Sequence, residues 1–155
     1  MACIPGHGRE FRDGLLRALE YADQLNAEVV HVMGGSRPPD VSRDTALATY
    51  VKNIAWAVEQ AASTNVTLAL ESINKRDSPR HILDSVDHAA SVVSALGSSR
   101  LGVLFDVFHC QVDSGNVTTR LREMMPLIAH VQIADVPNRH EPGTGEIAWP
   151  YVFDQ

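Results

Sequence analysis

The sequence predicts an α/β fold made of four consecutive parallel βα units, a portion of a (β/α)8 barrel. Three observations carry this. Short apolar or β-branched runs begin near 28, 66, 101 and 127, about one βα unit apart, with helical periodicity between them. The runs are apolar nearly throughout, as in strands covered on both faces, which indicates a parallel sheet with right-handed crossovers. Three of them end in oxygen-bearing side chains, at the carboxyl ends where parallel sheets hold their ligands.

The elements follow in order. Phe11, Leu15, Leu16, Leu19, Ala22 and Leu25 recur at three- and four-residue steps and predict a helix over 10–25. Residues 28–33, Glu-Val-Val-His-Val-Met, close at Gly34-Gly35 and predict a strand. After a loop at 36–43, Leu47, Val51, Ile54, Ala55 and Val58 share one face of a helix over roughly 44–63. Residues 66–70 form a strand ending at Glu71, and 72–80 a polar loop. Ser85 caps a helix over 86–96 that Gly97 stops. Residues 101–105 form a strand ending at Asp106, with a loop and no helix expected directly after it. A shorter helix near 117–125 leads through Pro126 to a strand over 128–134. A Gly/Pro-rich loop covers 135–148, and something helical begins at Trp149.

This organisation predicts a single partial barrel domain over 1–155, with no internal linker. A doubly wound nucleotide fold would show a glycine-rich phosphate loop after its first strand. Gly34-Gly35-Ser36-Arg37-Pro38-Pro39 is a poor one, because tandem prolines cannot supply the N–H groups that cradle phosphate.

Composition narrows function by exclusion. The chain is 45% hydrophobic and 21% charged, as globular proteins are. A net charge of −6 opposes nucleic acid as a partner, since binding a polyanion needs a Lys/Arg surface. Small anionic substrates stay compatible, because a few local cations suffice for them. No apolar stretch reaches the length of a membrane span, and the first residues carry no signal-peptide pattern. With Cys3 and Cys110 the only cysteines, a reducing, cytoplasmic setting is expected.

Adjacent parallel strands lie ~4.8 Å apart, so residues at their ends can converge on one point. Glu71, Asp106 and Gln132 would present two carboxylates and an amide oxygen, a hard oxygen set suited to Mg²⁺ or Mn²⁺. Each acid has a plainer reading, as a solvated or capping group. His109, where strand gives way to loop, either bonds a substrate oxygen or packs as a loop histidine. Cys110 reads as a small buried hydrophobe, and His31 and His130 as satisfied core histidines. Lys75, Arg76, Arg139 and His140 sit in loops on the same side, either for an anion or merely solvated.

Taken together, Ala-Leu-Glu-Ser-Ile-Asn (69–74), Phe-Asp-Val-Phe-His (105–109), Ala-His-Val-Gln-Ile-Ala-Asp (129–135), Pro-Asn-Arg-His-Glu-Pro (137–142) and Thr-Gly-Glu-Ile (144–147) resemble the hydroxypyruvate isomerase family of xylose-isomerase-like TIM barrels. The resemblance covers essentially the whole chain. It implies that Glu71, Asp106 and Gln132 are metal ligands and that Glu71 also moves a proton. His109 and Arg139 would contact substrate. The implied reaction interconverts hydroxypyruvate and tartronate semialdehyde by proton transfer through an enediolate, with a divalent metal as cofactor. It also implies three strands before this stretch and one after, the last bearing a second glutamate. Without them the two outer strands are open edges that favour self-association into a homo-oligomer. Two alternatives stay open: a catalytically incomplete fragment or interaction module of the same fold, and another sugar-acid isomerase or epimerase.

Overall fold

The four repeats place four strands side by side. A computed structural model, describing residues 1–155, orders them β1 (Val29–His31), β2 (Thr67–Glu71), β3 (Leu101–Asp106) and β4 (Ile128–Gln132), all parallel and in sequence order. Helix α1 (Gly8–Leu25) precedes β1, α2 (Arg43–Ala61) joins β1 to β2, and α3 (Val86–Leu96) joins β2 to β3. Two short helices, α4 (Val107–Asp113) and α5 (Val117–Met124), and a 3-10 turn lead to β4, and α6 (Trp149–Phe153) comes last. β1 and β4 do not pair, so the sheet is a half-barrel with two edges.

The expected periodicity builds α1, whereas α2 buries Ala46, Tyr50, Ile54, Ala57 and Ala61 and leaves the expected Leu47, Val51, Ala55 and Val58 half-buried beside that stripe. Phe11, Leu15, Leu19 and Ala22 form the buried stripe of α1, and Asn26 ends it in the left-handed conformation. Ser42 and Ser85 cap α2 and α3 by accepting the N–H of Thr45 and His88, and Gly97 closes α3 at φ 57°. On the sheet, Leu68, Leu70, Val103 and Phe105 join the core with Tyr50, Ile54, Ala57 and Ala89 of the helices. Alternation sends Ala69, Glu71, Gly102, Leu104 and Asp106 to the opposite, barrel-interior face. The register pairs Glu71 with Leu104 and Asp106 with Gln132, so all three predicted ligands belong to that face.

Three expectations are corrected. The outer strands are shorter than predicted. β4 stops at Gln132 because β3 ends opposite it and offers Ile133 no partner, and β1 pairs only over 29–31. A helix does begin directly after Asp106: its Oδ1 accepts the N–H of His109 at 3.1 Å, capping α4. His109 therefore sits in a helical first turn, not a loop. His130 lies exposed on the β4 edge and is no core histidine. Cys3 and Cys110 are free and buried, and burial pushes the Cys110 thiol up to about 11, which keeps it unreactive. No helix is long and apolar enough to cross a membrane.

Candidate metal and substrate site

Glu71 ends β2 as a carboxylate 5% exposed. Its Oε1 is buried with no hydrogen-bond partner, 3.8 Å from His109 Nε2, and its Oε2 lies 3.3 Å from His31 Nε2. Its pKa is raised to about 7, first by burial and then by the neighbouring Asp106 charge, with Arg139 opposing both. Asp106 closes β3. Its Oδ2 accepts from Arg139 Nη2 at 2.9 Å and lies 3.9 Å from His109 Nε2. Donor atoms of Glu71, Asp106 and His109 all lie within 4.8 Å of one another.

That cluster fits a divalent cation. Two carboxylates confined together, one with an oxygen lacking any donor, are short of positive charge. Burial also holds His109 below its ordinary pKa, against the pull of Asp106, so the imidazole does not supply that charge.

Gln132 stands beside Asp106 in the strand register, half-buried at the end of β4. Arg139 reaches the site from the loop after β4, at φ 60°, with its guanidinium 5.4 Å from the Phe108 ring. Arg76 comes within 5.5 Å of the same ring from the loop after β2 and donates to the Pro137 carbonyl at 3.4 Å. The two guanidiniums thus converge on one buried aromatic at the mouth of the site. Lys75 instead turns towards Asp84, 3.7 Å away, and His140 serves the loop through its carbonyl, which accepts the Asp135 N–H.

Four contributors escape a reading of the sequence. The sequence presents His31 as a satisfied core histidine. Its Nε2 instead has no hydrogen-bond partner and faces Glu71, and burial, with His81 and His130 nearby, holds it below its ordinary pKa. His81 is buried, bonds Leu83 O through Nδ1 and leaves Nε2 unpartnered. Asn74 lies 2.7 Å from His109 Nδ1. Phe108 carries the two arginines. Asn74 and Phe108 fall inside the quoted motifs, yet nothing in their type announces a role.

Asp135 organises the loop that delivers Arg139. Its Oδ1 accepts the N–H of Val136 and Ile147, and its Oδ2 those of Gly143 and the Trp149 indole, at 2.8–3.0 Å. Gly145 packs so closely that a Cβ there would run into the Val136 carbonyl and the Asp135 carboxylate. Burial disfavours the Asp135 charge, but these donors outweigh it and hold the carboxyl at about 2. A depressed pKa contributes stability above the ordinary carboxylate range and loses it as pH falls through the folded value. Acidification from about pH 4 to pH 2 is therefore expected to release this loop. Trp149 fluorescence in a Trp56→Phe background reads it, and an emission spectrum unchanged down to pH 2 would refute it.

Comparison with known proteins places this geometry in a lineage. A family model described as "Xylose isomerase-like TIM barrel" matches residues 1–155. The chain is 41% identical over 154 residues to a 2-oxo-tetronate isomerase of Cupriavidus necator, and 35% identical over 153 residues to a hydroxypyruvate isomerase of Escherichia coli. Both alignments take in 99% of this chain and 59% of the relative. A crystal structure of a protein named "AP endonuclease, family 2", from Brucella melitensis, superposes with a TM-score of 0.93 at 33% identity, covering 99% of this chain and 59% of that one. The chain thus spans about 59% of the length of the curated relatives it matches. It belongs to the xylose isomerase-like TIM barrel family.

Proposed function

We propose that this chain carries the strand-end site of a metal-dependent isomerase of small hydroxy/oxo acids, of the hydroxypyruvate to tartronate semialdehyde type. One observation carries the reading: Glu71, buried at the site with a pKa raised to about 7 and an unpartnered Oε1. Such a carboxyl can both accept and return a proton near neutrality. Hydroxypyruvate becomes tartronate semialdehyde when a proton leaves C3 and one arrives at C2, while the hydroxyl proton moves from the C3 oxygen to the C2 oxygen. Atoms and charge balance with no redox partner. The names of both isomerase relatives support this class.

Glu71, Asp106 and Gln132 would hold the divalent ion, Mg²⁺ or Mn²⁺. Bound there, it would polarise adjacent substrate oxygens and acidify the intervening C–H. Glu71 Oε1 takes the proton. His109 and Arg139 face a substrate oxygen and the substrate carboxylate, and Arg76 adds a second cation at the mouth. The Brucella relative bears the name of a nuclease, but a net charge of −6 opposes a polyanionic partner, so the small-acid reading is preferred.

Incubation of the chain with hydroxypyruvate and Mn²⁺, followed by detection of tartronate semialdehyde, tests the reading. Arg139→Ala is expected to raise KM for the acid by about tenfold or more, because a charge-assisted bond to a carboxylate is lost. A KM unchanged in that variant would take Arg139 out of the binding site.

A further inference from the structure

Asn74 sits in the loop after β2 with 1% exposure, and both ends of its amide are committed. Its Oδ1 accepts the Asp77 N–H at 2.9 Å, and its Nδ2 donates to Asp77 Oδ2 at 3.0 Å. These contacts decide which end of the amide is which. Exchanging them would set an NH₂ against an N–H and an oxygen against a carboxylate. The second Nδ2 hydrogen is left for His109 Nδ1, 2.7 Å away, which must accept it with a lone pair.

An imidazole that accepts at Nδ1 carries its proton on Nε2. That Nε2 lies 3.8 Å from Glu71 Oε1 and 3.9 Å from Asp106 Oδ2, beyond hydrogen-bond reach of either, and is buried without a partner. Its N–H is free for an oxygen entering the gap between the two carboxylates. A nitrogen that bears a proton has no lone pair for a metal, although it lies within the cluster of possible donors.

We infer that Asn74 is a positioning residue: it locks His109 in the Nε2–H tautomer and so reserves that imidazole as a hydrogen-bond donor to a substrate oxygen, not a metal ligand. The substrate-facing part of this statement rests on the isomerase reading. The tautomer does not.

Histidine-selective ¹⁵N labelling of the 155-residue chain, with His109 assigned through its backbone, reads the tautomer directly in long-range ¹H–¹⁵N spectra. The expected result is a protonated Nε2 and a bare Nδ1. Asn74→Asp replaces the donor with a carboxylate acceptor and is expected to shift Nδ1 into the protonated range. An Nδ1–H tautomer or a tautomer mixture in the wild-type chain overturns the inference. So does a folded Asn74→Asp protein whose Nδ1 stays bare. If that variant does not fold, the wild-type spectrum decides alone. Failure of hydroxypyruvate turnover would defeat the isomerase reading and leave the tautomer result standing, so the two are separable.

Discussion

Glu71→Gln is expected to lower isomerisation by about 10²–10⁴-fold, the usual contribution of a positioned acid–base group. The same change is expected to stabilise the metal-free chain at neutral and alkaline pH. Glutamine keeps the volume and polarity of the side chain but can neither take a proton nor carry the charge that Asp106 opposes. In the folded chain the Glu71 carboxyl is raised from 4.5 to about 7 by burial and by Asp106. Folding therefore favours its protonated form. The associated stability is intact below about pH 4.5 and is lost as pH rises through about 7, on the order of 3 kcal/mol in all.

Thermal unfolding from pH 4 to pH 9 separates the variants: wild type should lose melting temperature across that window, and Glu71→Gln should lose less. A divalent ion should reverse the wild-type loss by neutralising the charge. Equal pH profiles for the two proteins would mean that Glu71 is not held protonated. Full activity in Glu71→Gln would remove it from the mechanism.

Gly102→Val is expected to destabilise the chain by about 1–3 kcal/mol, against the trend that strand propensity sets. Glycine weakens a strand interior, so propensity alone predicts a gain of up to ~1 kcal/mol from valine. Packing decides otherwise. A Cβ at 102 would lie 2.6 Å from the Ala129 Cβ, 3.0 Å from the Leu127 carbonyl and 3.1 Å from the Ala129 nitrogen. Two of these are backbone atoms, so relief requires β4 itself to move.

The β3–β4 register shifts between Val103 and Leu104, where Ala129 crowds Gly102, and two residues further on the same pair of strands sets Gln132 beside Asp106. Pushing β4 away is thus expected to weaken Mn²⁺ binding as well as stability. Urea unfolding and Mn²⁺ titration of Gly102→Val test both. A variant as stable as wild type would show that β4 yields at no cost.

How much is legible in the sequence follows from the range of the interactions involved. Four βα units, their parallel order and the strand-end positions of Glu71, Asp106 and Gln132 are readable because periodicity and strand-end position are local properties. The period of two puts Glu71 on one face with Ala69 and Asp106 with Leu104, but runs that are apolar on both faces leave the choice of face to the packed structure. Caps at Ser85 and at Asp106 differ instructively. Ser85 accepts an N–H three residues on, as its type suggests, whereas Asp106 combines such a cap with an ion pair to Arg139 from 33 residues away. The ion pair is not written locally.

The tertiary structure alone decided the rest, because those contacts join residues far apart in the chain. His31 of β1 faces Glu71 of the neighbouring β2, and Asn74, in the loop after β2, meets His109 in the first turn of α4. Arg76 and Arg139 reach one Phe108 ring. The protonation of Glu71 and the tautomer of His109 are set by burial and by such neighbours, and neither quantity exists until the sheet brings them together. The sequence by itself determined which groups stand at the strand ends. How closely those groups approach one another, and how far water is kept from them, was decided only by the packed half-barrel.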